Sequence, residues 1–286
     1  MKKLLASILF LALMLSLAAC GGGSAPAPAV TETPAPEAPA PAEEPEEAAE
    51  EVPFVMGPYG IPVYRSLEDV DLAAVLQANN MKNLLQYLDN FKIVEKLDNE
   101  STFSGTEAYT SEGDYRFFLD GEQYVENVDY TSNLSFMNWT QLIEYNLTDP
   151  GKCFALQKDA NGLTNLPAAA ENVEASILPS FSGDYVETGR READGHYLFT
   201  YELKPIENLE ENSTAEFKNC SVEIDPETGL IVKYAFSLSV HLESGTTTDT
   251  AGNAFETPGG DLTQSVSGEV FYNVEGIEPD YSLLSA

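Results

Sequence analysis

Few side chains in this sequence are of the kinds that do chemistry, and they are not grouped. There are two histidines, three cysteines and 47 Asp and Glu residues. His196 and His241 each fall opposite the apolar positions of an alternating segment, so both are expected to face solvent rather than serve as bases or metal ligands. There is no HExxH for zinc, no GxSxG nucleophile elbow and no Ser-x-x-Lys, and neither a P-loop nor a GxGxxG for phosphates. Carboxylates in such number could always supply a glycosidase-type pair, but here they are dispersed without a local signature. Asp249, Asn253, Glu256 and Asp261 place oxygen ligands at intervals in a Gly-rich loop. The spacing fits no EF-hand, and these are also ordinary turn residues. Asn-x-Ser/Thr sequons at Asn99, Asn133, Asn138, Asn146, Asn212 and Asn219 read as accidents of composition. The reading assigns no catalytic residue, no metal and no cofactor, and expects no enzyme.

The one cysteine with a defined context is Cys20. Met1-Lys2-Lys3 is a basic start, Leu4 to Leu17 is almost wholly apolar, and the small residues Ala18 and Ala19 come directly before Cys20. That order is a secretory signal peptide over residues 1–19, too short in its apolar run to remain as a membrane-spanning helix. With a cysteine next in line, Leu17-Ala18-Ala19-Cys20 resembles the lipobox of bacterial lipoproteins. The resemblance implies that Cys20 is diacylated through its sulfur (a diacylglycerol-type anchor, with palmitate as a typical chain) and becomes the new N-terminus. The membrane is then a partner through the lipid on Cys20, on the outer face of the cell membrane, because two acyl chains anchor far more firmly than one.

Formal net charge is −33, and loss of Lys2 and Lys3 with the signal makes it more negative. No basic patch exists to neutralise phosphates, so nucleic acid is excluded as a partner. Anionic headgroups offer no docking surface either, which leaves the anchor to the acyl chains alone. Cys153 and Cys220 remain, in an exported setting that permits one disulfide. Cys220 alternates with Val222 and Ile224, which equally suits a small buried apolar residue.

Residues 20–53 carry the anchor and a linker: Gly21-Gly22-Gly23-Ser24, then Pro, Ala and Glu without Lys or Arg. This segment cannot bury apolar surface and its charges repel, so it reads as a disordered stalk, roughly 100 Å long if fully extended. From residue 54 to 286 the composition is globular, without a second linker, and a single domain and a monomer are expected.

Within that domain Ser66 and Asp69 form a capping-box-like pair. Val70, Ala74, Met81, Leu84, Leu85 and Leu88 then recur at helical spacing, predicting one amphipathic helix of about six turns over 67–88, weakened at Asn79 and Asn80. Asp120-Gly121 separates Tyr115, Phe117 and Leu119 from Tyr124 and Val128; Asp194-Gly195 separates Tyr185-Val186 from Tyr197, Phe199, Tyr201 and Leu203. Asp-Gly between alternating apolar runs predicts hairpins. Asp225 to Gly229 turns the Cys220–Ile224 run into the longest strand, with Tyr234, Phe236, Leu238, Val240 and Leu242 on one face. Val266, Val270, Tyr272 and Val274 make the last strand. Residues 139–147 and 168–178 are predicted as short helices, bounded by Pro150-Gly151, Pro167 and Pro179. The fold class is α+β: a curved antiparallel sheet with the N-terminal helix and two short helices on its concave face.

Tyr197, Phe199, Tyr201, Tyr234, Phe236 and Tyr272 should share one sheet face, either as packed core or as the wall of a ligand hollow. Sheet geometry favours a hollow. An eight-stranded sheet is roughly 38 Å wide and a helix about 10 Å, so three helices cannot cover it. A wide twisted sheet must curl around what cover there is. Leu85 and Leu88 from the helix and Leu238 mid-strand are expected to complete the lining. The lipobox, the leading helix, the long meander and the hairpin Ile224-Asp225-Pro226-Glu227-Thr228-Gly229-Leu230 together resemble the LolA/LolB/LppX-like lipoproteins, including surface lipoproteins of Gram-positive bacteria. That resemblance implies a half-barrel binding a lipid or other hydrophobic small molecule; the alternative is a cell-surface interaction module with a filled core that meets a protein or glycan. Changing Cys20 to Ala is expected to abolish acylation and leave an unprocessed precursor or shed protein, so that metabolic labelling with a fatty acid finds no label and no protein of mature mass stays in the washed membrane fraction.

Overall fold

The computed structural model describes residues 53–102, 107–178, 185–203, 213–248, 254–257 and 259–285. Cys20, the signal segment and the linker to residue 52 lie outside the described residues, as do Asp249 and Asn253.

Turn chemistry sets the frame. At Asp194-Gly195 both residues have positive φ, 51° and 84°, the signature of a two-residue type I′ hairpin whose twist matches its strands. It joins β9 (Tyr185–Ala193) to β10 (His196–Leu203). The Asp120-Gly121 turn joins β4 (Tyr109–Asp120) to β5 (Gln123–Ser132), with Asp120 opposite Gln123. Between β11 (Ser213–Ile224) and β12 (Ile231–Leu242), the Asp225 carboxylate accepts from Glu227 N at 2.8 Å, and its carbonyl accepts from Gly229 N at 2.8 Å.

Two meanders make one sheet. The first is β3 (Asn90–Ser101), β4, β5, β6 (Trp139–Asn146), β7 (Phe154–Asp159) and β8 (Gly162–Leu166). The second is β9 to β12, followed by the last long strand, β15 (Gly260–Tyr272). β15 pairs with both β12 and β3, giving eleven antiparallel strands in the order β8-β7-β6-β5-β4-β3-β15-β12-β11-β10-β9. Flattened, such a sheet is about 48 Å wide; it is open and curved. Two small hairpins stand apart, β1 (Phe54–Met56) with β2 (Pro62–Tyr64) and β13 (Gly245–Thr248) with β14 (Ala254–Thr257).

The cover is smaller than the sequence predicts. In place of one six-turn helix there are α1 (Leu72–Ala78) and α2 (Met81–Leu84), broken at Asn79-Asn80. Asp71, not Ser66, caps α1 by accepting from Ala74 N at 3.1 Å; Ser66 donates to Asp69 in the turn before it. The break has a physical cause. Asn79 is fully buried; its amide donates to Val75 O at 2.8 Å and Gly229 O at 3.0 Å and accepts from Ile231 N at 3.2 Å. It therefore pins the helix end onto the β11–β12 turn. Asn80 then caps α2 through Asn83 N.

Residues 139–147, predicted helical, are the strand β6. Leu142 is buried against Val125 and Leu283 on the outer face, while Ile143 and Tyr145 join the main core on the inner face. A strand buried on both sides loses its alternation and mimics a helical run. The predicted helix over 168–178 is a 3-10 turn, Ala170–Glu174, after which Ser176 makes a single bridge to Asn80. β15 ends at Tyr272, short of Val274, because Asn273 turns with φ 49°. Past it the chain crosses the outer face. There Asp280 and Asn127 exchange two hydrogen bonds of 2.7 and 2.9 Å, and Leu283 packs with Phe118, Val125 and Leu142.

Asn79→Ala leaves the Gly229 carbonyl and Ile231 amide unpaired in the core. It is expected to lower stability by about 3 kcal/mol in urea unfolding, against about 1 kcal/mol for the cap substitution Asn80→Ala.

Candidate ligand cavity

The inner face of the sheet holds a cavity of about 210 Å³. Its walls come from β3 to β6, β11, β12 and β15, and its roof from Met81 on α2 and residues 172–177. Most of the lining is apolar, and two of its members are carboxylates, Glu95 on β3 and Glu126 on β5.

Strand register explains how each is held. One row runs straight across six strands: Tyr234, Gly268, Glu95, Gly113, Tyr130 and Trp139. Glu95 thus has a glycine on each neighbouring strand. A β-carbon on Gly268 would stand 2.2 Å from Tyr234 Cζ, so only glycine lets that ring lie across β15. The Tyr234 hydroxyl then donates to Glu95 Oε2 at 2.7 Å. A β-carbon on Gly113 would stand 2.5 Å from the ring of Tyr115, which fills that space. Tyr130 and Trp139 close the row, stacked with centroids 5.0 Å apart, and Tyr130 shares a 2.6 Å hydrogen bond with Ser111.

Glu126 stands in another row, Tyr272, Phe91, Phe117, Glu126 and Ile143, where Phe91 and Phe117 stack at 4.4 Å. Tyr145 donates to its Oε2 at 2.9 Å. Burial pushes the Glu126 carboxyl up to about 7, against the pull of the Tyr145 hydroxyl. Burial raises Glu95 too, with the Tyr234 hydroxyl pulling the other way. Tyr115 lies between the two carboxylates. Its phenol is held well above its ordinary range by burial first and then by the charges of Glu95, Tyr130 and Glu126. Glu95 and Glu126 are two strands and four residues apart, about 16 Å along the sheet. Hydrolytic carboxylate pairs stand about 5–9.5 Å apart, and each acid here has its own tyrosine partner.

A third row, Phe217, Leu238, Gln264, Asn99 and Tyr109, crosses the far end of the cavity. Asn99 is fully buried, and neither atom of its side-chain amide has a hydrogen-bond partner among the described residues.

Of the residues the sequence places at a ligand site, Tyr234, Phe236 and Leu238 line the cavity. Leu85, Leu88, Phe199 and Tyr201 do not; they are buried in the packed core, with Tyr197 and Tyr272 packed at its border. The helix break turns Met81, rather than Leu85 or Leu88, toward the hollow. Tyr272 donates to Ile231 O at 2.6 Å. Cys153 and Cys220 are free thiols, beside β7 and on β11, seven strands apart in the sheet order, so the bridge considered for them is not formed. Burial pushes the Cys220 thiol up to about 11. His241 is exposed and lies 2.6 Å from Asp261, while His196 is partly covered beside Glu223. Among the described residues no three His, Cys, Asp or Glu side chains are placed to hold a metal ion.

Sequence reasoning missed Glu95, Glu126, Tyr115, Tyr130, Trp139 and Asn99. Two signals were there. Glu95 alternates with Phe91, Ile93 and Leu97, a charge written into an inward-facing series, and Gly113 and Gly268 interrupt strand interiors, which marks close approach.

No family model matches the chain, and no curated protein does. Among solved structures it is similar to a DUF1329 family protein from Desulfovibrio piger, with 11% identity, a TM-score of 0.32, and 71% of this chain and 94% of that one covered. It is also similar to a LolA superfamily protein from Nitrosomonas europaea, with 11% identity, a TM-score of 0.23, and coverage of 68% and 89%.

The raised Glu126 carboxyl has a consequence for stability. Between its ordinary value of 4.5 and about 7 the folded protein keeps a proton that the unfolded chain has lost. Stability is therefore fullest below the lower value, falls as pH rises through this window, and levels off above it. Glu126→Gln removes that slope. The variant is expected to match wild type in urea unfolding at pH 4.5 and to exceed it at pH 8 by an amount on the order of 3 kcal/mol.

Proposed function

We propose that this chain is a lipoprotein anchored through Cys20 at the outer face of the cell membrane, and that it binds a hydrophobic small molecule in the cavity of its half-barrel. The role is binding, without a chemical step. The observation that carries the reading is the hollow itself. Phe117, Trp139, Phe236 and Leu238 turn apolar surface into a space that no side chain fills, where a filled core would have been the more stable arrangement. An interaction module needs no such space. The volume, about 210 Å³, lies below the roughly 300–1,000 Å³ of drug-sized ligand sites. It fits one short chain or a ring, which is smaller than the diacyl body of a whole lipid. The acidic stalk of residues 21–52 would hold the binding domain away from the membrane surface.

Native mass spectrometry of protein purified from its own membrane tests this. Wild type is expected to carry one equivalent of an apolar molecule, extractable by solvent, and Leu238→Asp to lose most of it because a charge now faces the hollow. Phe236→Ala, which enlarges the hollow without adding charge, should retain a ligand. Folded wild type that holds no ligand and takes up no fluorescent apolar probe would transfer the assignment to the interaction module.

A further inference from the structure

The cavity carries more information than its size, because its charges are all of one sign. Glu95 and Glu126 both face it, and no Lys, Arg or His is among its lining residues. Each carboxylate takes one hydrogen bond, from Tyr234 and from Tyr145, through Oε2. Neither forms an ion pair among the described residues, although Lys92, Asp114, Arg116 and Asp129 on the same three strands are joined in one on the outer face. The fold thus joins four partly buried charges on the outer face of these strands and leaves two partly buried carboxylates at the cavity without an ion pair among the described residues. An enclosed carboxylate without a cation is unfavourable, so selection for packing alone would have placed apolar residues there.

The surroundings suit a cation. Tyr115, Tyr130, Trp139 and Phe117 all border the hollow, and aromatic faces attract ammonium groups most strongly where water is excluded. Two glycines are placed so that Tyr234 and Tyr115 can reach in beside Glu95. At the far end the unpartnered, fully buried amide of Asn99 lies on the same face of β3 as Glu95, in register with Gln264 of the cavity wall. An anionic ligand meets the opposite conditions: two carboxylates in a poorly solvated space, in a chain of net charge −33 that repels it at a distance.

Resting on the binding role assigned above, we infer that the molecule held in this cavity is an organic cation: an amine or quaternary ammonium with a small apolar body, its charged nitrogen set against Glu95 and the aromatic rings beside it, with Glu126 a second, more distant negative charge on the same hollow. Its arrival supplies Glu95 with a counter-ion and draws that carboxyl back toward ionisation.

Titration calorimetry on the full chain at pH 8 separates this from the parent reading, using hexyltrimethylammonium, hexanol and hexanoate, which share one alkyl chain and differ in charge. The ammonium is expected to bind at least tenfold tighter than hexanol, and hexanoate weakest of the three. Glu95→Gln should reduce the ammonium's affinity about tenfold, and Glu126→Gln, farther from the nitrogen, should reduce it less. Equal affinity for ammonium and hexanol, or tightest binding of hexanoate, would overturn the cation inference and leave the apolar binding role standing. Failure of all three to bind folded wild type would overturn both. The wild-type series alone decides the matter should a glutamine variant not fold.

Discussion

The pairing of β3 with β15 is the contact on which this structure depends. It joins residues 91–101 to residues 262–272, the strands of the main sheet most distant in sequence, and fuses what would otherwise be separate six- and five-stranded pieces. Local hairpin turns can form each meander early, but this pairing must close a loop of well over a hundred residues, which makes it the slow and costly step of assembly. It also creates the cavity. Only when β15 lies between β3 and β12 does Gly268 fall between Glu95 and Tyr234, and only then can a phenol from one meander reach a carboxylate in the other.

The same closure explains why the cover is thin. Eleven strands present far more inner surface than α1, α2 and the turn at 170–174 can shield. Much of the remainder packs on itself: Phe199, Tyr201, Val222 and Ile231 are almost fully buried within one half of the sheet. Around Glu95 and Glu126 this self-packing stops. Partly buried carboxylates at the cavity, and an Asn99 amide without a partner among the described residues on the same face of β3, lower stability where they stand. The outer face is treated differently. Its small core is completed by the C-terminal segment through Leu283 and the Asn127–Asp280 pair, so the strands β4 to β6 are buried on both sides.

Sequence alone determined much of this protein. The Asp-Gly pairs at 120–121 and 194–195 and the turn at 225–229 were legible as hairpins, because their backbone conformations depend on the residues themselves. So were the antiparallel character of the sheet, its excess of inward apolar surface and, from Tyr234, Phe236 and Leu238, one wall of the hollow. What lay beyond it were matters of partnership. The helix over 67–88 is broken because Asn79 finds its hydrogen bonds on a turn 150 residues away, which no local propensity reports. The segment at 139–147 is a strand because both its faces acquire cover, one from the main core and one from the C-terminus; an unalternated apolar run cannot announce which structure will bury it. Glu95 and Glu126 looked like two of many dispersed acids. Tertiary structure alone decided that these two are enclosed, since enclosure is set by which strands stand beside them and by the absence of side chains at Gly113 and Gly268, positions that become neighbours of Glu95 only when the sheet is complete.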